Sequence, residues 1–352
     1  MAVVNYEPLG TTDVTTTKTL LYEAIPLTGT IVSGTYSDNN IKNYTHGMFQ
    51  SVYDYPYLSS SANHIFDLSA GYNKSSDLSG SANVVIQSKK INMYNQFSQV
   101  LLGYTSSNNT IRDFELDLKL DQTGSMKEAF FVNLSRLLYK DEIKKGSFSI
   151  TLGTGSWSTP HNKTITLTDS DASETQGTAN TLGGDYGVLL SNASGSDGGV
   201  AHGVVFYQAG IVVLGTSSFG SIVDFNSGSV LSGSGATPLT TGQSFVSASI
   251  SGSCDALRRR IKNVSFNNTT EINSTIYFCR VPSNKYNYSA NPTYLENSQI
   301  RVKSVASDSP ISYITTIGLY NTNNELLAIA KLSEPLAKKP TNDITLRVRL
   351  DY

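Results

Sequence analysis

Apolar residues recur along this chain with two different periods, and each period predicts a different kind of element. The C-terminal run is the plainest. Ile344, Leu346, Val348 and Leu350 alternate with Thr345, Arg347, Arg349 and Asp351, the two-residue repeat of a strand with one buried face. The apolar set should face a sheet, with Arg347 and Arg349 turned to solvent or to a neighbouring subunit. Residues 313–320 and 325–332 predict a hairpin around Asn321-Thr322-Asn323-Asn324, and residues 274–281 predict another strand. Residues 19–25 and 29–36 read as extended segments near the start. Phe114, Leu116, Leu118 and Leu120 alternate with Glu115, Asp117 and Lys119, a half-buried strand with an acidic solvent face. Between 44 and 72 many aromatic residues stand among Ser, Asn and Asp, and Pro56 argues against one long element there.

Three stretches carry the 3.6-residue period instead. In residues 84–103, Ile86, Met93, Tyr94, Phe97, Val100 and Leu101 share a face and Gly103 marks the end. Residues 126–145 begin with Ser125-Met126-Lys127-Glu128, a capping-box pattern. Met126, Phe130, Leu134, Leu137 and Leu138 then align, and Lys144-Lys145-Gly146 supplies a stop. Residues 253–264 place Leu257, Ile261 and Val264 on one side, with Ser253 as cap and Arg258-Arg259-Arg260 exposed. Residues 146–252 are rich in Gly, Ser and Thr, but bursts at 148–152, 165–167 and 203–214 recur too regularly for a disordered linker. The last burst reads as two buried strands meeting near Gly210. The fold class expected is therefore α+β and β-rich: antiparallel sheets, helices near 84–103, 126–145 and 253–264, and a Gly/Ser-rich β-type middle. The expected domains are 1–150, 151–252 as an inserted subdomain, and 253–352 packed with the first.

Composition narrows the function. Charged residues make up 15% of the 352, with 26 Lys+Arg, 28 Asp+Glu and a net charge of −2, against roughly a quarter in an average globular chain. That balance lacks the basic footprint of a nucleic-acid-binding protein, so no nucleic-acid partner is expected. No apolar run approaches the ~20 residues of a membrane span, and residues 1–7 lack the basic and apolar regions of a signal peptide. Two cysteines, Cys254 and Cys279, are too few to staple the chain and lack zinc-ligand spacing; they read as a capping-region thiol and a strand-core thiol. A protein made in a reducing cytoplasm is expected. The 20 Tyr and low charge match the depletion of Lys, Glu and Asp and the enrichment of Tyr at protein contact surfaces.

The chemical motifs are sparse. His46, His64, His161 and His202 share no metal-ligand spacing and read as loop or surface residues. Gly153-Thr154-Gly155 and Gly233-Ser234-Gly235 do not continue into a dinucleotide or P-loop signature, and no GxSxG elbow is present. Asp113, Glu115 and Asp117 belong to the strand face described above. Asp169 and Asp171 lack the remaining ligands of a calcium loop. The Asn-x-Ser/Thr triplets at Asn43, Asn133, Asn192, Asn263 and Asn273 follow from composition. No catalytic, cofactor-binding or metal residues are assigned, and no cofactor is expected.

Three blocks resemble virion structural proteins of marine contractile-tailed phages of the cyanophage type. The first is YEAIPLTGTIVSGTY with HGMFQSVYDYPYLSSSANHIFD and KKINMYNQFSQVLLG, within 22–103. The second is MKEAFFVNLSRLLYKDEIKKGSFSITLG with GVVFYQAGIVVL, within 126–214. The third runs from FNNTTEINSTIYFCRVPSNKYNYSANPTY through YITTIGLYNTNNELLAIAKLSEPL to LRVRLDY, within 266–352. Without saying which part of the particle, the resemblance implies a non-enzymatic structural component of the virion, for which the tail, baseplate or neck is the leading expectation. It would be partnered by other virion proteins and by copies of itself, and no site residues come with it. Three alternatives stand beside it: a host-surface module or fibre adaptor in which Tyr53, Tyr55 and Tyr57 stack on glycan, a capsid-associated protein, and a particle-bound hydrolase using Asp169 and Asp171.

Overall fold

The computed structural model describes residues 6–27, 38–80, 85–105, 110–118, 124–156, 159–169, 182–191, 199–219, 241, 245, 249–288, 295–296, 299–300 and 311–352. The expected strand at 29–36 lies outside these residues, as do Asp171, Asn192 and the run 233–235. The chain is β-rich α+β with antiparallel sheets, as expected, and it divides into two compact units, Leu21–Thr270 and Met1–Leu20 with Glu271–Tyr352. The boundaries thus fall elsewhere than near 150 and 252. The Gly/Ser-rich middle is not a separate insert, because its strands share one sheet with those of the N-terminal part.

The larger unit is built from two meanders. The first is β2 (Ile41–Asn43), β3 (Gln50–Tyr53), β4 (His64–Tyr72) and β5 (Glu128–Leu134); β1 (Val14–Leu27) precedes it in the chain. The second is β7 (Ser149–Gly153), β8 (Thr164–Thr168), β9 (Tyr186–Ser191), β10 (Val200–Phe206) and β11 (Ile211–Gly215), the last two joined by the turn at Gly210, whose φ is +64°. Antiparallel pairing of β11 with β5, from Ile211 opposite Asn133 to Gly215 opposite Ala129, fuses the two. Beyond β7 the sheet continues into the start of β12 (Ile261–Val281), which also pairs with β6 (Glu142–Ile143).

Both faces of this sheet are covered, so alternate strand residues enter two different apolar clusters. Phe130, Val132 and Leu134 of β5 join Leu68 and Ala70 of β4, Val212 and Leu214 of β11, and Cys254 and Leu257 of α3 (Ile250–Arg260). Ala129 and Phe131 join Val204, Phe206 and Val213 with Tyr94 and Leu101 of α1 (Val85–Leu101) on the other face. Phe97 of α1 stacks on Phe131 at 4.1 Å. The Tyr94 hydroxyl donates to the Met126 carbonyl at 2.9 Å and accepts from the Phe114 amide at 3.0 Å, tying the approach to β5 under the helix.

The helix expected at 126–145 is a correction. Residues 128–134 form β5, followed by a single turn, α2 (Arg136–Tyr139), and β6. The run Ala129-Phe130-Phe131-Val132 fills both faces of a central strand, and its aromatic and β-branched content favours that state over a helix. Glu128 does not close a capping box; its carboxylate accepts from the Ser76 hydroxyl. Asn133 accordingly lies on a strand. Gly146, expected to end that helix, takes φ +74° in the turn before β7. Residues 114–118 make no strand: Glu115 is buried and bridges to Ser125, and Leu118 has φ +49°.

The third helix is present but begins earlier, capped by Ser249, which accepts from the Gly252 amide at 3.1 Å; Ser253 sits inside it, and Ile261 and Val264 belong to β12. Arg258 and Arg260, expected at the surface, are buried. Asp255 pairs with Arg258 at 2.8 Å, and Arg260 donates to the carbonyls of Gly153 and Gly155 at 3.1 and 2.9 Å.

Among its described residues the smaller unit has strands but buries a single apolar side chain, Val348. Residues 274–281 of β12 pair antiparallel with β17 (Ile344–Asp351). A two-residue pair, β13 (Leu295–Glu296) with β14 (Gln299–Ile300), precedes the expected hairpin of β15 (Ser312–Tyr320) and β16 (Leu326–Lys338). The alternation of β17 is as expected, with Arg347 and Arg349 exposed. Yet only Val348 of its apolar set is buried, and Ile344, Leu346 and Leu350 are half-covered. Polar contacts recur instead: Arg280 with Asp13 at 2.8 Å, Lys18 with Glu271 at 2.9 Å, and Lys285 with Glu7 at 2.5 Å. The Lys338 ammonium is enclosed by the Ser283 carbonyl, Asn287 Oδ1 and the Lys339 carbonyl.

Gly71 of β4 tests the packing of α1 on the sheet. A β-carbon there would come within 2.5 Å of the Lys90 carbonyl oxygen and 2.8 Å of the Tyr94 amide, both backbone atoms that cannot swing aside. Gly71→Ala should destabilise the larger unit by about 1–3 kcal/mol, read as a lower melting temperature with an unchanged β-type circular dichroism spectrum. An unchanged melting temperature would show that α1 does not seat against β4 in this way.

Candidate functional site

Most chemistry-bearing side chains of the larger unit serve the fold. Asp169 is buried, and its carboxylate accepts from the Gly146 amide at 2.9 Å, the Phe148 amide at 2.8 Å and the Tyr207 hydroxyl at 2.9 Å. Burial pushes its pKa upward against those bonds. Both of its oxygens are thus engaged in holding the turn before β7 and the Tyr207 hydroxyl. His202, expected at the surface, is buried in β10 with Nε2 3.0 Å from the Ser191 hydroxyl. Cys254 is enclosed in α3, where burial raises its thiol pKa well above the ordinary value, so it stays protonated; Cys279 is half-buried on β12. Lys90 is buried in α1, donates to the Phe245 carbonyl, and has its pKa lowered to about 8 by burial. Among the described residues no group of three His, Cys, Asp or Glu side chains could hold a metal ion, and no helix is long and apolar enough to cross a membrane.

A different set of side chains converges on one face of β2, β3 and β4. The cross-strand register places Lys42 opposite Ser51, Ser51 opposite Asp67, and Asp67 opposite Asn133. These four form a polar row on the face whose continuation carries Phe131. The Ser51 hydroxyl donates to Asp67 Oδ1 at 2.5 Å, and His64 Nε2 reaches the same oxygen at 2.8 Å. Tyr44 lies above, its hydroxyl 3.3 Å from Ser51 Oγ and the Lys42 ammonium 4.9 Å from its ring. Tyr53 contacts His64 edge-on at 5.5 Å and lies 6.3 Å from Tyr57. Burial, and next the neighbouring Tyr44, raise the Tyr53 pKa, so its hydroxyl stays protonated.

The loop between β3 and β4 that carries Tyr55 and Tyr57 is clamped at its base. Asp54 accepts from the Asn63 amide at 2.6 Å and from Asn63 Nδ2 at 2.8 Å, and its own amide donates to the Asn63 carbonyl. The Tyr57 amide donates to the Asn39 carbonyl at 2.9 Å. Two tyrosines are thereby held outward, 54% and 37% exposed at Tyr55 and Tyr57.

Ser, His and Asp meet here in an order unsuited to nucleophilic catalysis. A serine nucleophile needs its proton taken by a histidine that the carboxylate orients. In this cluster the carboxylate lies between the other two, and Ser51 is buried. The arrangement can bind and stack; the Ser51 proton is directed at Asp67 and not at the His64 imidazole. Of the sequence candidates, Tyr53, Tyr55 and Tyr57 do gather here. Asp169 is remote in role, and His64 proves to be the first residue of β4 rather than a loop residue. Lys42, Ser51 and Asp67 carried no motif, and Asn133 only an Asn-x-Ser triplet. Their grouping depends on strand register, which short polar strands leave unspecified.

No family model, curated protein or solved structure matches the chain.

Burial lowers the imidazole pKa of both His161 and His202, and Lys262, Arg259 and Arg260 add to the effect at His161. With folded values below the unfolded one, the unfolded chain binds protons first as pH falls. The stability these neutral histidines contribute is full above about pH 6.5 and is lost below it. Asp113 and Asp169, whose values burial raises, act with the opposite sign in the carboxylate range. The melting temperature should therefore drop between about pH 6.5 and 5, and a His161→Asn/His202→Asn double variant should show a shallower drop. Parallel profiles for the two proteins would assign the pH dependence elsewhere.

Proposed function

We propose that the protein is a non-enzymatic structural component of a phage particle, held in the tail, baseplate or neck by contacts with other virion proteins and with copies of itself. One observation carries this reading: among its described residues, the smaller unit leaves most of its apolar strand side chains exposed or half-covered. Val348 is its one buried apolar side chain among the described residues, whereas Leu327 and Ile329 of the hairpin are 68% and 57% exposed. Tyr313, Tyr320 and Leu326 are exposed beside them.

A two-stranded ribbon is at best marginally stable in water. Apolar exposure gathered on one element marks an interaction surface. Pro335 within β16 withholds a ladder donor, which suits a ribbon that meets its partners through side chains rather than by adding strands. The shortage of charge along the chain acts in the same direction, since it removes the desolvation cost that buried lysines and glutamates would impose on an interface.

The chain should be found by mass spectrometry in gradient-purified particles, and its absence from them would overturn the proposal. Leu327→Asp and Ile329→Asp, singly or together, should leave the melting temperature within about 1 °C because the sites are exposed. They should nevertheless prevent self-association or incorporation into particles. Normal incorporation of the double variant would remove the hairpin from the interface.

A further inference from the structure

The half-buried cluster on β2, β3 and β4 has atoms that the fold leaves unused. Ser51 and His64 both engage Asp67 Oδ1, while Asp67 Oδ2 has no hydrogen-bond partner among the described residues. The Asn133 carboxamide and the Lys42 ammonium likewise make no hydrogen bond there; Lys42 rests only over the Tyr44 ring. Asp67, Asn133 and Lys42 are half-buried, so these are partly desolvated groups with free valences. They stand in register on neighbouring strands, a span of about 14 Å from β2 to β5 at ~4.8 Å per strand. Tyr53 and Tyr57 border the row, and the Asp54–Asn63 clamp fixes the loop that presents Tyr57.

We propose that Lys42, Ser51, Asp67 and Asn133, with Tyr53 and Tyr57, form a binding site for an uncharged oligosaccharide. A pyranose ring offers an apolar C–H face and a rim of hydroxyls. Aromatic rings with a polar tip suit the first. A carboxylate oxygen, a carboxamide and an ammonium, held in place beforehand, suit the second. The row is too long for one ring and accommodates several. Its charges select the class: Lys42 is opposed by Asp67, so neither an acidic nor a basic sugar gains a net attraction. Preorganisation by the Ser51 and His64 bonds removes part of the ordering cost that weakens binding by mobile side chains. The site belongs to the larger unit and the assembly proposal rests on the hairpin of the smaller one, so either proposal can fail alone.

The test uses the full chain on an array that carries uncharged hexose and N-acetylhexosamine oligomers beside acidic glycans, followed by equilibrium titration of the strongest uncharged binder. Binding is expected, weakened at least about tenfold by Asp67→Asn and by Tyr57→Ala. Tyr57 is exposed enough that its alanine variant should melt as the parent does, which separates lost binding from lost folding. Binding to no uncharged oligomer, binding confined to acidic glycans, or full affinity in the Tyr57→Ala variant would each overturn the proposal.

Discussion

The larger unit depends on one strand having partners on every side. β5 pairs along its whole length with β4, from Phe66 opposite Leu134 to Tyr72 opposite Glu128, and along five residues with β11. Its side chains alternate into the two apolar clusters that cover the sheet, so the same seven residues join two meanders edge to edge and two layers face to face. Truncating a buried phenylalanine costs about 3–5 kcal/mol in such surroundings, a large share of the ~5–15 kcal/mol that keeps a domain folded. The strand order, the seat of α1 and the position of the polar row on β2 to β4 all follow from where β5 lies.

Buried polar groups then fix the loops that the sheet leaves open. Asp169 gathers two amides and the Tyr207 hydroxyl, closing the turn before β7 against the end of β8. Arg260 does the converse, taking the carbonyls of Gly153 and Gly155 at the end of β7. Backbone groups in irregular segments must find partners when water is excluded, and a charged side chain provides stronger bonds than a neutral one. Charges are few in this chain, and several of those present have this internal work.

The two units answer the same physical requirement differently. In the larger one, apolar strand residues are buried within the chain. In the smaller one, β17 alternates as regularly, yet among the described residues most of the apolar side chains of β15, β16 and β17 remain in contact with water, and ion pairs and the enclosed Lys338 recur instead. A strand pattern with one buried face states that something will cover it. It does not state that the cover lies in the same chain.

The sequence alone determined those elements whose signal is local. The strand runs at 274–281, 313–320 and 344–350, the turn at Asn321–Asn324, the α1 helix and the pair of strands meeting at Gly210 all appear where the pattern places them. Tyr53, Tyr55 and Tyr57 were legible as an aromatic group for the same reason. Tertiary structure decided the rest. Residues 126–138 carry a helical period and a continuous apolar run at once, and only the slot between β4 and β11 selects the strand. Arg258 and Arg260 read as solvated because a sequence does not reveal the carboxylate and carbonyls that bury them. The row Lys42, Ser51, Asp67 and Asn133 joins positions up to 91 residues apart in number. Periodicity records which way each side chain turns along its own strand, whereas register between strands, and what finally covers a face, are set by contacts distant in sequence.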